Sequence, residues 1–530
     1  MTVLEPFFYL HNYHFFFSPD KVYKPSRDLS TYSCEWEYVI KCLSVEGRGR
    51  DNCQREGVYL LSKIKKVHFI GIGGYGMSAL AFVLLQGGYN VSGSDLRDCG
   101  LTRSLEHAGA RVFIGHRADQ LGDAELVVYS TAIPENNPEL LSARERGLSV
   151  WHRSELLAAV FNEMGGVAVA GAHGKTTTTA MTALLLEKGG FDPTAIIGGE
   201  VSFFGGNARM GKGRHVVAEA CESDHSFLRY NPEIALVTNI EPDHLEHYNG
   251  DYNRLIASYV AFINNVKAGG TAVLCADDAK LQGLRSQFRP AVLTYGFSEG
   301  ADIRAEKVVL EGLGSRFSVY KQDEYIRDFS LQVPGEHNVC NALGAMAVAY
   351  CCGMDLRDMK EALHLFTGVK RRFEVVGEEA NIMVIDDYAH HPTEIKATLQ
   401  AARQSGRRII CVFQPHRFTR TQFLWSEFLE AFHGADIILL DDIYAAGEDP
   451  IPGISAGKLA GQLQGRGHRG VHFLSGKEQI IGALQEIARS GDLVITMGAG
   501  DIWLTGRRFL DSLAACKCVT KLCPQEAGEE

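Results

Sequence analysis

Short apolar runs, each closed by glycine, an acid or a hydroxyl residue and each leading into helical spacing, recur from about residue 63 to about residue 510. Runs of this length with small or charged ends read as buried strands, and the 3.6-residue spacing after them reads as helices. KVHFIGIGGYGMSALAFVLLQGG (66–88) is strand, glycine turn and helix, followed by the strands YNVSGSD (89–95) and ELVVYSTAIP (125–134). A second unit opens with Val167–Ala170, the loop GAHGKTTTT (171–179) and a helical pattern over Ala180–Lys188. Its further strands are in RHVVAEACESD (214–224) and EIALVTNIEPDHLEHYNGD (233–251), and VPGEHNVCNALGAMAVAY (333–350) has helical spacing after His337 and Asn338. A third unit repeats the plan in IMVIDDYAHHPTEIKATL (382–399), RIICVFQPHRFTRT (408–421), ADIILLDDIYAAGE (435–448) and GDLVITMGAGDI (491–502).

The alternation predicts an α/β protein of three domains. They are a Rossmann-like N-terminal domain over 63–160, a central P-loop-type ATPase domain with a mainly parallel sheet over 161–368, and a C-terminal Rossmann-like α/β domain over 369–515. Residues 1–62 lack either period and are expected to be a poorly ordered extension, either an accessory arm or, the favoured reading, the result of a start placed too far upstream; 516–530 is a tail. Composition narrows the setting. A net charge of −11 does not favour nucleic acid or an anionic membrane surface as partner. No apolar run reaches transmembrane length, and FFYLHNYHFFF (7–17) lacks a basic leader. The 13 cysteines are scattered and odd in number, which predicts reduced thiols and a cytoplasmic protein. Cys516, Cys518 and Cys523 in the tail have no matching second cluster, so no metal is expected there.

The second unit carries the strongest chemical signal. Strand, glycine loop, lysine, hydroxyls and helix bring backbone N–H groups and a helix N-terminus to bear on phosphate. The loop is a shortened G-x-x-G-K-T, with Val169 where the longer motif has glycine. Lys175 is expected on the terminal phosphates of ATP or GTP and the Thr176 hydroxyl on Mg²⁺. Glu219 or Glu222, with His244, end parallel strands on the same edge and are candidate Mg²⁺ ligands. Asn341 either caps its helix or faces the nucleotide. In the first unit Gly71, Gly73 and Gly76 satisfy G-x-G-x-x-G, and Asp95 stands where a ribose-binding acid would. In the third, His390, His391, Arg417 and Arg420 form a cationic cluster suited to a carboxylate.

GIGGYGMS, GAHGKTTTT, ESDHSF, NIEPDHLEHY, GEHNVCNA, RRFE, DDYAHHPTEI, FQPHRFTRT, YAAGE and MGAGDI together resemble the Mur ligase family over about 63–510. The resemblance implies that ATP phosphorylates the lactyl carboxylate of UDP-N-acetylmuramate and that the amine of L-alanine displaces phosphate. That is the first amino-acid addition in peptidoglycan precursor synthesis. It implies UDP-sugar contacts at Gly73, Gly74, Tyr75, Gly76, Met77, Ser78, Asp95, Ser130 and Thr131. ATP would lie on Gly171, Ala172, His173, Gly174, Lys175, Thr176 and Thr177, with His337, Asn338 and Asn341 beside it. Lys175, Glu219, His244 and Arg372 would be catalytic, Arg372 reaching the γ-phosphate from the third domain. Mg²⁺ would be held by Thr176, Glu219, Glu222 and His244, and alanine by Tyr388, His390, Arg417 and Arg420. A monomer or homodimer is expected, with no nucleic acid or membrane partner.

Two departures stand out. Tyr259 occupies the place near which several relatives carry a carbamylated lysine, as in the alanine-adding branch, and Cys221 stands where that branch usually has aspartate. Two other activities are compatible with parts of the sequence: a tripeptide-recycling ligase of the same family, and an NAD-dependent oxidoreductase with an appended NTPase. The second uses GIGGYG but leaves GAHGKTTTT and the third domain without a role.

Overall fold

The computed structural model describes residues 63–522. The expectations for residues 1–62 and for the end of the tail lie outside them. Three sheets follow one another along the chain. The first has five parallel strands in the order Arg111–Ile114, Asn90–Asp95, Lys66–Ile70, Leu126–Tyr129, Ser149–His152. The second has ten strands, in the order Glu324–Leu331, Gly314–Lys321, Ile303–Glu311, Ala291–Gly296, Thr271–Cys275, Ile234–Val237, Gly165–Ala170, His215–Glu219, Thr194–Val201, Gly206–Arg209. It is parallel from Ile303–Glu311 through Thr194–Val201 and ends in antiparallel strands on both sides. The third has six, in the order Glu374–Glu379, Ile382–Asp387, Asp492–Met497, Arg408–Phe413, Ile437–Leu440, Val471–Phe473, antiparallel only at its first pair.

The central strands read as unbroken apolar runs because helices cover both faces: Val167, Ala168, Val169 and Ala170 are all fully buried. Gly165–Ala170 lies between Ile234–Val237 and His215–Glu219. The crossover from Gly165–Ala170 runs to Thr194–Val201 on one side, and the one from His215–Glu219 runs to Ile234–Val237 on the other. The loops after these three strands open together at one edge, at the point where the order reverses and ligands of such sheets bind.

Helix boundaries depart from the pattern in one informative way. The helix after the glycine loop starts at Lys175, five residues before the helical spacing becomes visible. Four successive threonines are weak helix formers. Here Thr179 Oγ1 donates to Lys175 O at 2.8 Å and Thr182 Oγ1 to Thr178 O at 2.8 Å, and the helix packs on Glu336–Cys351. The antiparallel strands between Ile303 and Leu331 also enlarge the central sheet beyond the strands read from its motifs. Among the described residues no helix is long and apolar enough to cross a membrane.

Candidate active site

The glycine loop is shaped by close approach. Gly171 has φ +134°, and a Cβ there would run into Thr238 Oγ1; Gly174 has φ +82°, and its Cβ would sit 2.5 Å from Asn341 Oδ1. Neither position tolerates a side chain. The strand next door holds the loop. Thr238 Oγ1 donates to His173 O (2.6 Å), His173 N donates to Asn239 Oδ1 (2.9 Å), and Asn239 Nδ2 donates to His173 O (3.1 Å). Gly174 is the N-cap of Lys175–Lys188 and brings no side-chain cap, so the first-turn amides are left for a ligand. Asn341 is not a cap: Gly335 caps its helix. It accepts from Thr178 Oγ1 (3.2 Å) and donates to Asn338 Oδ1 (3.3 Å), and Asn338 Nδ2 donates to Pro334 O (2.7 Å). His337 is exposed at the start of the same helix.

The two glutamates divide the work. Lys175 Nζ donates to both Glu222 oxygens (3.0 and 3.1 Å), to Ala172 O (3.1 Å) and to Gly171 O. Burial disfavours the ammonium, but Glu222 outweighs it and holds Lys175 above its ordinary value, so it is charged. Glu219 Oε2 accepts from Thr176 Oγ1 (3.1 Å) and Oε1 from Gly198 N (2.6 Å). Thr176 and Glu219 thus present two hard oxygens side by side at the loop, a donor set that fits Mg²⁺. Glu222 is turned to the lysine instead. Burial pushes the Cys221 thiol up to about 11, so it is no anionic substitute for a carboxylate between these acids.

Asp243 and His244 follow on the neighbouring loop. His244 is left-handed (φ 54°), with Nε2 3.5 Å from Asp243 and Nδ1 3.6 Å from Glu246. Burial opposes the Asp243 charge, yet His244 and Arg420 hold it well below the carboxylate range. Arg420 Nη2 donates to Asp243 Oδ1 (3.3 Å), and Arg417 Nη1 donates to Glu246 Oε1 (3.1 Å). Both arginines therefore cross from the third sheet to the central one. Arg417 is the N-cap of Phe418–Phe423 at φ +70°, and Arg420 lies one turn on. Arg420 Nε is buried with no acceptor. His390 Nδ1 lies 2.9 Å from Tyr388 O, and burial pushes the ring down to about 4, so it is neutral at pH 7.

The loop is also tied to the third sheet. His173 stands between Glu394 (Nδ1, 3.2 Å) and Glu241 (Nε2, 3.4 Å). Burial works against its proton, but the two carboxylates raise it to about 10. Thr393 Oγ1 donates to Glu241 at 2.8 Å. Arg372 lies 3.9 Å from Glu394, the partner of His173, with its guanidinium 5.0 Å over the Tyr388 ring.

In the first sheet Asp95 is engaged by the glycine turn itself. Oδ2 accepts from Gly73 N (2.9 Å) and Oδ1 from Arg97 N (3.1 Å). Gly76 faces Arg153, which pairs with Asp224 at 3.1 Å. Asn207 Nδ2 donates to Tyr75 O (2.7 Å) and Ser78 Oγ (3.2 Å), fastening the Tyr75–Gln86 helix, and Met77 within it, to the central hairpin. Ser130 and Thr131 follow Leu126–Tyr129 at the same sheet edge as this turn. Tyr259 is fully buried and packs edge-on to Phe227 (5.3 Å), a core position.

Several residues that build the site carry weak local signals. Thr238 and Asn239 are visible only as polar residues ending a strand. Glu394 is visible as the third helical residue of a capping box whose N-cap is His391. Asn207 and Arg153 have no local signal, because their partners lie in other sheets or far along the chain.

Known proteins are similar to this chain in sequence and fold. Residues 66–164 match the catalytic domain of the Mur ligase family, 169–349 the Mur ligase middle domain, and 371–500 the Mur ligase glutamate ligase domain. The UDP-N-acetylmuramate–L-alanine ligase of Anaeromyxobacter dehalogenans is 48% identical over 85% of this chain and 98% of its own length. That of Symbiobacterium thermophilum is 48% identical over 88% and 98%. The crystal structure of UDP-N-acetylmuramate–alanine ligase from Thermotoga maritima superposes with a TM-score of 0.74 at 30% identity, covering 85% of this chain and 99% of that one. A murein peptide ligase from Psychrobacter arcticus gives 0.65 at 26%, covering 84% and 98%. With its three sheets, its phosphate loop and matches along nearly the whole described length, the chain belongs to the Mur ligase family.

Proposed function

We propose that this enzyme joins L-alanine to the lactyl carboxylate of UDP-N-acetylmuramate at the expense of ATP, in the cytoplasm, as the first amino-acid addition to the peptidoglycan precursor. The observation that carries the reading is the phosphate loop, with charged Lys175 and the Thr176–Glu219 pair, on the side where Arg372 and the Arg417–Arg420 pair of the third domain meet the central one. The 48% identity to alanine ligases supports alanine over a tripeptide as the amine.

ATP would lie with its phosphates on the loop amides and Lys175, and its base near Asn338 and His337. Mg²⁺ held by Thr176 and Glu219 would neutralise phosphate charge, and His244 would hold a second ion. Lys175 and Arg372 stabilise the charge on the transferred phosphoryl group, so that chemistry rests on positioning and electrostatics. The UDP-sugar would meet the glycine turn at Gly73–Gly76, with Ser130 and Thr131 on the same edge. Asp95 orients that turn through Gly73 N. The alanine carboxylate would be aimed by Arg420, whose Nε lacks an acceptor, with Arg417, Tyr388 and His390 around it. Phosphate release from ATP, measured with UDP-N-acetylmuramate and each amino acid in turn, tests the reading. Release that needs both the sugar nucleotide and L-alanine is expected, and release indifferent to the amino acid overturns it.

A further inference from the structure

Away from the phosphate loop, the strand Thr271–Cys275 ends beside the helix Glu336–Cys351. Cys275 Sγ and Cys340 Sγ lie 3.8 Å apart. Asp277, two residues past the strand, brings a carboxylate oxygen within 4.8 Å of both sulfurs. Two sulfurs bound at about 2.3 Å to one tetrahedral ion stand about 3.8 Å apart. The thiols are thus already spaced as a pair of zinc ligands and are too far apart for a disulfide without movement.

The surroundings support a metal in two further ways. Asp277 is held in place: Oδ2 accepts from Phe297 N (2.8 Å), and Oδ1 accepts from Ser298 N (2.8 Å) and Ser298 Oγ (2.5 Å). Gly296, at φ +151°, leaves the space that a Cβ would take from this carboxylate. Such outer hydrogen bonds are what orient a metal-binding carboxylate. Cys275 is buried while Asp277 is exposed, so an ion has an entry path on the carboxylate side.

We propose that Cys275, Cys340 and Asp277 form a binding site for a thiophilic divalent cation such as Zn²⁺, with water completing the tetrahedron. Binding releases one proton from each thiol to solvent as its sulfur bonds the ion; no electron is transferred. The ion would tie the strand end to the helix that carries Asn338 and Asn341. The other close group among the described residues, His173, Glu241 and His391, does not serve. Thr393 N donates to His391 Nδ1 (3.3 Å), which leaves the proton on Nε2, and His173 already sits between two carboxylates.

The test is titration of the full chain with Zn²⁺ against a chromophoric chelator, and with Co²⁺ followed by absorption, in the wild type, Cys340→Ser and Asp277→Asn. The remaining cysteines are common to all three. The wild type is expected to take up one equivalent more than Cys340→Ser, to show a thiolate-to-Co²⁺ charge-transfer band that Cys340→Ser lacks, and to melt higher with Zn²⁺. Asp277→Asn keeps the band and binds more weakly. Zn²⁺ should also slow alkylation of Cys340 in the unmutated protein, followed by peptide mass spectrometry, which serves even where a variant does not fold. Equal stoichiometry with superimposable Co²⁺ spectra, or unprotected Cys340 in the wild type, overturns the site.

Discussion

The proposed grip of Arg420 on alanine can be separated from its observed pairing with Asp243. Arg420 is nearly buried and paired with an equally buried Asp243 at 3.3 Å, while its Nε has no acceptor. Arg420→Ala therefore removes a hydrogen-bond donor from the proposed alanine site and strands a buried carboxylate. Breaking a buried pair typically costs roughly 3–5 kcal/mol. Stability and binding would fall together and leave the result ambiguous. Arg420→Lys resolves this. The ammonium still compensates Asp243, but the fork and its Nε–H are gone. Losing one charge-assisted bond costs roughly 1.5–3 kcal/mol, about ten- to a hundredfold in alanine binding. Steady-state KM for alanine, ATP and UDP-N-acetylmuramate, with melting temperature alongside, is the assay. The expected result is a raised alanine KM, the other two within a few-fold, and a melting temperature near wild type. An unchanged alanine KM in a stable lysine variant would refute the assignment and leave Arg420 as a bridge to Asp243. An effect on ATP alone would move the residue to the phosphate side.

Three further outcomes are expected. Lys175→Ala should lower turnover on the order of 10²-fold or more while UDP-sugar binding, measured by calorimetry, persists; turnover near wild type would dismiss the phosphate-loop role. Gly174→Ala forces a Cβ to 2.5 Å from Asn341 Oδ1 at φ +82° and should cost at least about 1 kcal/mol in denaturant unfolding as well as ATP affinity, whereas a neutral variant would show that the loop has room. The His173 proton is favoured in the folded state, raised from 6.5 to about 10, so its stabilisation is full below pH 6.5 and is lost as pH rises through about 10. The wild type should accordingly lose melting temperature more steeply than His173→Gln between pH 7 and 10, and parallel profiles would show that the Glu241–His173–Glu394 contact stores no such energy.

What the chain settled by itself is what neighbours in sequence decide. Apolar runs and helical spacing mark strands and helices because burial and dihedral preference act over a few residues. The glycine loop, Lys175 and Thr176 were legible for the same reason: one strand, one turn and one helix contain the whole device. The open question of metal between Glu219 and Glu222 was not legible. Both end the same strand region, and only the placing of Thr176 and Lys175 against it turns Glu222 to the lysine and Glu219 to the hydroxyl. Asp95 has the spacing of a ribose acid, yet the turn folds back so that Gly73 N takes one of its oxygens. Arg417 and Arg420 read as a free cationic pair; the approach of the third sheet to the central one gives them Glu246 and Asp243, far away along the chain. Strand order within a sheet and the docking of one sheet's elements on another's decided these pairings. Both depend on long-range packing of sheets whose local patterns are alike, so the periodicity of any one segment carries no record of which charge will stand opposite it.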